Sequence, residues 1–418
     1  MAVIKPFKAI RPREDLANKV ASLPYDVLNR QEAKVIAKDN PYSFLHIDKS
    51  EIDLEDNINQ YDEKVYIKAR ENLNQFIEQN ILIKEEKECL YIYKQIMNNR
   101  EQVGIVACLS VDDSLNGVIK KHEYTKPDKE KDRTNHIRYC NANTGTILVT
   151  YKSKQSINQF IEKYIQTNGP IYNFISEDNI SHIVWKIDNQ EDINYLVGEF
   201  DKINSLYIAD GHHRSASAEN IALEIRNKYP YYTGKEEFNY YLAMIAPDDN
   251  LNILDYNRVV KDLNGRSKDK FIEEIKKVFE VSEKKCKTYK LSEKGKIGMY
   301  LDNKWYEIKI DKNTKGNDVV KSLDVSILQD YILAPILGIN NPRSDKRIEF
   351  IGGIRGKQEL EKRVNEDMKV AFMMYPTTID ELMNVADENK MMPAKSTWFE
   401  PKVRCGLFLH ELDLNKYY

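Results

Sequence analysis

Cysteine is scarce in this sequence, and its pattern excludes two common ways of stabilising a fold. The 418 residues include five cysteines, and no two of them are spaced as a Cys-x-x-Cys pair. They are Cys89, Cys108, Cys140, Cys286 and Cys405. An odd number of scattered cysteines argues against a disulfide framework and against a cysteine-ligated zinc site. We therefore expect reduced thiols and a cytoplasmic location.

Long hydrophobic runs and an excess of one charge are also missing. No apolar run approaches the ~18 residues that span a bilayer. Charged residues between Lys5 and Asp15 interrupt the N-terminus, where a signal peptide would need an apolar core. The chain has 63 Lys and Arg against 66 Asp and Glu, a net charge of −3. These features argue against a membrane partner and against the nucleic-acid backbone as the main ligand.

The residues that are present predict a folded protein with more than one domain. Hydrophobic residues make up 41% of the chain and charged residues 31%, and the length exceeds what a single hydrophobic core organises. Strand-like and helix-like segments alternate, which predicts a mixed α/β (α+β) fold with several layers. The expected domains are 1–155, 156–260 and 261–418.

Apolar periodicity, turn residues and caps predict the individual elements. The predicted helices are 31–38, 61–80, 157–165, 192–203, 215–228, 270–279, 325–332 and 379–386. The predicted strands are 89–96, 102–109, 146–151, 183–187, 206–209, 240–245, 253–257, 298–301, 304–310 and 371–374. The glycine-rich segment Ile351–Gly356 lacks the Gly-Lys-Ser/Thr ending of a phosphate loop and is predicted to be a turn.

Histidine is rare, and its distribution gives the first indication of a site. There are seven histidines, and four of them fall in two short segments. His122 and His136 lie in the first segment, and His212 and His213 lie in the second. The second pair belongs to the run Asp210-Gly211-His212-His213-Arg214-Ser215, where a predicted buried strand turns through a glycine into a helix.

This junction is suited to an anion. The first N–H groups of a helix lack partners within the helix and lie at the positive end of its dipole. Gly211 permits a sharp turn and close approach to a ligand, and Arg214 can donate two hydrogen bonds to phosphate oxygens. His212 and His213 add donors whose charge changes near neutral pH. Asp210 is placed to bind a metal ion or to orient a histidine.

The simpler alternative is an ordinary junction in which Asp210 caps the helix and the His-His-Arg segment is a solvated first turn. A helix N-terminus disfavours positively charged residues, however. A bound anion that neutralises them would explain the cluster, and we therefore favour an anion site.

A second candidate segment begins at Lys121 and is densely charged. Glu123, beside His122 and Thr125, is a candidate general base or metal ligand. The segment does not match a zinc-protease motif, because Lys126 stands where the second histidine would be.

Two further cations of this segment, Lys129 and Arg133, are four residues apart and would face an anion together if the segment were helical. A solvated charged loop is the alternative, and spacing alone favours that alternative.

A third candidate segment is the proline-flanked loop 392–402. It contains Lys395, Ser396 and Thr397, which suit the rim of a site for a small polar ligand. A surface loop packed by the two aromatic residues that follow explains the pattern equally well.

Five blocks of the sequence, taken together, resemble the bacterial DUF1015 family, whose function is unknown. The blocks are Pro24–Val27, Asn40–His46, His122–Arg133, Ala209–Arg214 and Met392–Lys402. They occur in order over nearly the whole chain, and the chain is identified as a member of that family.

The Asp210–Arg214 block also resembles the nucleotide-binding element of the ParB/sulfiredoxin superfamily, in which a glycine turn at a helix start holds nucleotide phosphates. Free-serine kinases, sulfiredoxins and CTP-binding partition proteins belong to this superfamily. The resemblance implies a ParB-like nucleotide-binding core in 156–260, the His-Glu-x-Thr segment in 1–155, and a Lys-Ser-Thr loop that 261–418 returns to the site. A sulfiredoxin-type role is not expected, because the turn has no cysteine.

The function implied by this resemblance is phosphoryl transfer between ATP or ADP and the hydroxyl of a small amino acid such as serine, with Mg²⁺. The expected catalytic residues are Glu123, Asp210, His212 and His213. The expected phosphate or nucleotide ligands are Gly211, His213, Arg214, Ser215, Lys129 and Arg133. The expected substrate ligands are His122, Thr125, Lys395, Ser396 and Thr397. The expected Mg²⁺ ligands are Asp210 and Glu123.

Two alternatives stay open. A ParB-like, nucleotide-switched DNA-binding or partition protein would share the glycine turn, but it needs a basic recognition element. A metal-dependent phosphohydrolase would use His122, Glu123, Asp210 and His212. The expected partners are a nucleotide and a small-molecule substrate, and the sequence is compatible with a homodimer.

Overall fold

The computed structural model describes residues 1–285, 289–311, 314 and 316–417. Cys286, which we expected to be a reduced thiol, lies outside the described residues. The other four cysteines are buried and free.

The described residues form helices and strands in alternation. The helices are α1 (Ala17–Val20), α2 (Arg30–Ala37), α3 (Leu45–Asp48), α4 (Glu63–Glu78), α5 (Val111–Leu115), α6 (Pro127–Cys140), α7 (Gln155–Thr167), α8 (Gln190–Phe200), α9 (His212–Lys228), α10 (Lys268–Lys276), α11 (Asp324–Leu328), α12 (Gly356–Glu366) and α13 (Ile379–Asp387). The strands up to residue 187 are β1 (Ile4–Lys5), β2 (Ala9–Pro12), β3 (Leu82–Lys84), β4 (Leu90–Met97), β5 (Arg100–Ser110), β6 (Ile119–Lys120), β7 (Ala142–Asn143), β8 (Ile147–Tyr151), β9 (Tyr172–Ile175) and β10 (Ser181–Ile187). The later strands are β11 (Leu206–Asp210), β12 (Tyr240–Pro247), β13 (Ile253–Leu254), β14 (Tyr256–Val260), β15 (Glu280–Lys284), β16 (Lys296–Leu301), β17 (Lys304–Lys309), β18 (Ile348–Gly352), β19 (Val370–Met373), β20 (Trp398–Phe399) and β21 (Leu409–Glu411).

The chain forms two compact units. The first comprises Met1–Lys121, Thr125–Leu251 and Pro401–Tyr418, and the second comprises His122–Tyr124 and Asn252–Glu400. The last segment of the chain therefore belongs to the first unit. The division predicted at residues 155 and 260 stays a prediction, because a compact unit of this size can contain more than one domain.

The first unit is built on a large mixed sheet. Its strand order is β6-β11-β8-β12-β5-β4-β10-β9, and β1 pairs with β5. The β6–β11 and β8–β12 pairs are parallel. Helices α7, α8 and α9 bury apolar residues in the same core as this sheet. These residues include Ile157, Ile161, Ile193, Leu196, Ala218, Ile221 and Ile225. The packing fixes the start of α9 where β11 ends.

A second core of the first unit connects distant parts of the chain. It lies on a four-stranded sheet of order β3-β2-β21-β7. Phe44, Ile47, Leu73, Cys405 and Leu409 are buried together in it. Residues from α3, α4 and the last segment of the chain are thereby held in one cluster.

The second unit contains a six-stranded sheet of order β15-β17-β16-β19-β14-β18, in which the described pairs are antiparallel. One face of the sheet is covered by α12, whose Leu360 packs with Val259, Ile351 and Ala371. β13 and β20 form a separate two-stranded ladder.

This architecture confirms the predicted mixed α/β fold. Across the described residues, every helix is too short or too polar to cross a membrane.

Candidate functional site

The predicted anion site lies in the first unit, where β11 ends at Asp210 and α9 begins at His212. Gly211 joins them at φ +99°, a conformation that L-residues with side chains rarely adopt. Its carbonyl accepts the N–H groups of Arg214 at 2.9 Å and Ser215 at 3.1 Å. The first turn of α9 contains no acidic residue, whereas the first turns of α4, α8 and α10 each contain at least one. The 17-residue helix α9 therefore presents its positive end without a first-turn carboxylate.

Asp210 does not cap this helix, because the cap residue is Gly211. Its Oδ2 instead lies 2.7 Å from Nζ of Lys402, and the Lys402 side chain is nearly buried. The final segment of the chain thus places an ammonium group at the end of β11. The predicted metal ligand Asp210 supplies oxygen donors of the type that Mg²⁺ prefers, but Lys402 binds one of them.

The two histidines of the first turn have different environments. His212 is buried. His213 is partly exposed, and its Nε2 accepts the N–H of Lys126 at 3.0 Å. This hydrogen bond requires an unprotonated Nε2, so the neutral ring carries its proton on Nδ1.

Arg214 points into the protein interior. Its Nη2 lies 3.1 Å from Oδ2 of Asp48 and 3.2 Å from Sγ of Cys405, and its Cζ lies 5.3 Å from the ring centre of Tyr25. Burial acts to lower the pKa of Arg214, but Cys405 and Asp48 act in the opposite direction and leave the pKa raised. This environment differs from the predicted role of Arg214 as a direct phosphate ligand.

Gly145 makes room for the Arg214 side chain. A Cβ atom at residue 145 would lie 0.7 Å from Nη1 of Arg214, so every other amino acid would displace the guanidinium. The observed position of Arg214, and with it the anchoring of the first turn of α9, therefore requires glycine at residue 145.

Arg133, the other predicted phosphate-binding arginine, belongs to the same buried group. Its Nη1 lies 3.3 Å from Oδ1 of Asp48, and its Nη2 lies 2.9 Å from Oδ2 of Asp132. Its Cζ lies 4.1 Å above the Tyr25 ring. Burial acts to raise the pKa of Asp48, but Arg214 and Arg133 outweigh it and lower that pKa. We call Tyr25, Asp48, Arg133 and Arg214 the buried ion cluster.

A histidine and a small cavity lie beside the buried ion cluster. His136 is buried, and its Nε2 donates to the backbone oxygen of Ile47 at 3.0 Å. Burial and the charge of Arg133 lower the pKa of His136 to about 4. Asp48, Arg133, His136 and Arg214 also line a cavity of about 20 Å³, which has room for one water molecule.

Three other predicted ligands of the first unit contact neighbouring side chains. Oγ1 of Thr125 donates to Glu130 at 2.6 Å, and Oγ of Ser215 donates to Glu219 at 3.0 Å. Lys129 lies over aromatic rings, with Nζ 5.9 Å from the centre of Tyr25 and 5.7 Å from that of Tyr61. Lys129 and Arg133 therefore both contact Tyr25, although spacing alone favoured a solvated loop for this segment.

The second unit brings together several of the predicted substrate ligands. The backbone oxygen of His122 accepts the N–H of Met392 at 2.8 Å, and Nε2 of His122 lies 3.5 Å from Oγ1 of Thr397. Ser396 is buried, and its Oγ donates to the backbone oxygen of Pro393 at 2.6 Å. Glu123 is half-buried in the same short segment as His122, and Lys395 is exposed in the loop.

Sequence reasoning missed the residues that contact Arg214, Arg133 and Asp210. Tyr25 and Lys402 lie in two of the matching blocks, and this was their only signal. Asp48, Gly145 and Cys405 lie outside the blocks and far apart in the chain. A buried ion pair between distant residues leaves no local pattern, so the sequence alone could not identify these partners.

A family model described as a protein of unknown function (DUF1015) matches residues 4–326. No curated protein matches the chain. Three of the solved structures to which it is similar are a free serine kinase variant in complex with AMP, a C-terminally truncated SbnI from Staphylococcus aureus and a conserved hypothetical protein from Pyrococcus furiosus. The kinase is 12% identical with a TM-score of 0.39, covering 75% of this chain and 94% of its own. SbnI is 14% identical with a TM-score of 0.40 and coverages of 74% and 89%, and the Pyrococcus protein is 14% identical with a TM-score of 0.35 and coverages of 75% and 97%.

Proposed function

The chain belongs to the DUF1015 family, and from the geometry of its β11–α9 junction we propose that it is a nucleotide-dependent phosphotransferase acting on a small hydroxy amino acid such as serine. The observation that carries the proposal is the glycine turn at φ +99° before a long helix whose first turn holds two histidines and no carboxylate. Backbone amides and the helix dipole stabilise phosphate groups at such a position.

The proposed phosphate contacts are the first-turn amides of α9 and the imidazole of His213. Arg214 and Arg133 act as positioning residues, because their guanidinium groups bind Asp48 inside the protein. They fix the position of the first turn of α9 relative to Tyr25. Phosphoryl transfer depends mainly on positioning and charge neutralisation, which is what this arrangement provides.

Mg²⁺ is proposed to bind with the nucleotide. Asp210 offers carboxylate oxygens of suitable chemistry, and the phosphates of the nucleotide complete the coordination in enzymes of this class. The bound ion would neutralise negative charge that develops on the transferred group. Lys402, which binds Asp210, holds the carboxylate in place and contributes positive charge beside it. The roles of Glu123, His122, Thr125, Lys395, Ser396 and Thr397 stay predictions.

The reaction balances without a further co-reactant. The hydroxyl oxygen of the amino acid forms a bond to the γ-phosphorus of ATP, and the bond between that phosphorus and the β–γ bridging oxygen breaks. ADP leaves, and the hydroxyl proton passes to a general base. The reverse reaction transfers the phosphoryl group from the phosphorylated amino acid to ADP.

An assay with isotopically labelled serine tests this function. The purified protein is incubated with ATP, Mg²⁺ and ¹³C-serine, and phosphoserine and ADP are detected by NMR. We expect both products in equal amounts. Formation of ADP with free phosphate and no phosphoserine would identify a phosphohydrolase instead. Steep loss of DNA binding with added salt would favour the DNA-binding alternative.

A further inference from the structure

Among the described residues of the second unit, one buried arginine has no carboxylate partner. Arg258, on β14, is 3% exposed. Its guanidinium donates hydrogen bonds to the backbone oxygens of Tyr256 and Lys395, the second at 3.0 Å. Cζ lies 5.4 Å from the ring centre of Phe350. Among the residues that the structure describes, no Asp or Glu side chain forms an ion pair with it.

Other buried arginines of the described residues each bind a carboxylate. The pairs are Arg11 with Glu85, Arg133 with Asp48, Arg226 with Asp112, and Arg404 with Asp178. Burial of a charge without a counter-charge is strongly unfavourable. In agreement, burial lowers the pKa of Arg258 to about 10, whereas the pKa values of Arg11 and Arg133 are raised despite burial. Arg258 is thus a buried cation that the described side chains leave uncompensated.

The loop that Arg258 contacts has an unusual backbone. Lys395 has φ +59°, whereas the other described non-glycine residues with positive φ are all Asn or Asp, which tolerate this region. Such a conformation persists only where surrounding contacts enforce it, and it is frequent at ligand clamps. The hydrogen bond from Arg258 to the Lys395 oxygen is one of these contacts. Another fixes the next residue, because Oγ1 of Thr377 donates to the Ser396 oxygen at 2.9 Å.

We propose that Arg258 and the loop 393–397 bind an oxyanion, the carboxylate or phosphate group of a small molecule. The bound group would supply the missing counter-charge, and the planar guanidinium fork matches both kinds of oxyanion. The loop adds the hydroxyl group of Thr397. Since all of these residues belong to the second unit, the proposal does not depend on the phosphotransferase function.

Anion-dependent stabilisation tests this site. The Tm of the full-length protein is measured at constant ionic strength while acetate or inorganic phosphate replaces chloride. We expect a saturable rise in Tm of a few degrees with at least one of the two anions, which also distinguishes carboxylate from phosphate binding. Arg258→Met should remove this site, so its rise in Tm should be smaller than that of the parent protein. Arg258→Lys should weaken the apparent affinity at least tenfold, because an ammonium group cannot form the bidentate contact.

Arg11→Met is the matched control, because Arg11 is also buried but has a carboxylate partner. Each Tm is compared with that of the same variant in chloride, so the stability cost of the substitution cancels. Phosphate binding at α9 would add the same rise in Tm to every variant, so it does not affect the comparison between variants. The proposal is overturned if Arg258→Met and Arg258→Lys retain the full rise, or if neither anion raises the Tm of the parent protein. Failure of nucleotide binding would refute only the phosphotransferase proposal.

Discussion

Arg214 leaves the first turn of α9 and enters the interior because Gly145 gives it room and Asp48 gives it a counter-charge. A guanidinium at a helix N-terminus opposes the dipole, and this pairing removes the conflict. Arg214 therefore stabilises the turn through its contact with Asp48.

Gly145→Ala should destabilise the protein by about 3 kcal/mol or more, because it separates a buried ion pair and leaves Asp48 partly uncompensated. Gly198→Ala is the control, since Gly198 lies within α8 and a Cβ there would meet no atom within 4 Å. Alanine at this position should raise helix stability by up to about 1 kcal/mol. Urea unfolding of the two variants measures the difference. Equal stability of the two variants would refute the role of Gly145.

The pH dependence of stability should reveal the buried histidines. Burial and Arg133 lower the pKa of His136 to about 4, and burial and Arg404 lower that of His182 to about 3. In the unfolded chain both pKa values are near ~6.5. Below pH ~6.5 the unfolded state therefore binds protons that the folded state does not, and the free energy of unfolding falls as the pH decreases.

His136 alone should account for a loss of about 3 kcal/mol between pH ~6.5 and pH ~4, from the difference between its two pKa values. Urea unfolding at several pH values measures the slope. In His136→Gln, the slope of the free energy of unfolding against pH should be smaller in this window, by the amount that corresponds to about one bound proton. An unchanged slope would show that His136 titrates normally in the folded protein.

Among the elements, helix α9 lacks the first-turn carboxylate that would stabilise it through the helix dipole. The same absence leaves its positive N-terminus available to an anion. His213→Glu should stabilise α9 by a few tenths of a kcal/mol through the dipole, yet it should weaken AMP binding at least tenfold through charge repulsion. Gln155→Glu is the control, because α7 also lacks an acidic residue in its first turn and Gln155 is exposed. Thermal unfolding and calorimetric titration with AMP measure both effects. An unchanged AMP affinity in His213→Glu would contradict the assignment.

Most of the longer helices and strands could be predicted from local pattern, and two exceptions have physical reasons. Capping boxes begin α2 one residue before its predicted start and α13 at its predicted start. The charge-dense segment after Lys126 forms the regular helix α6, although spacing alone favoured a solvated loop. The reason is that one face of the helix is buried and carries Arg133 of the buried ion cluster. The segment from residue 348 forms β18, a short turn and α12, whereas only the turn was predicted from its glycines.

The candidate site shows the same limit of sequence reasoning. The β11–Gly211–α9 junction could be predicted because a strand, a glycine and a helix follow one another in the chain. The partners of Arg214 and Arg133 could not, because Tyr25, Asp48 and Cys405 are brought to them only by tertiary packing.

At the scale of the whole molecule, the final segment Pro401–Tyr418 is part of the first unit. It supplies β21 to the four-stranded sheet, Lys402 to Asp210, and Cys405 to Arg214. Truncation after Glu400 should therefore lower the Tm below that of the full-length protein and expose the β2 and β7 edges. Circular dichroism of both proteins checks this expectation. A cooperative transition at the parent Tm in the shorter protein would contradict it.

Calorimetric titration with AMP tests directly whether the N-terminus of α9 binds nucleotide phosphates, as we propose. Gly211→Ala removes the left-handed turn, and Gly234→Ala is the matched control, with φ +87° and no atom within 4 Å of an added Cβ. The parent protein and Gly234→Ala should bind AMP with the same Kd, and Gly211→Ala should bind AMP at least tenfold more weakly. No binding to the parent protein, or equal binding by both variants, would contradict it.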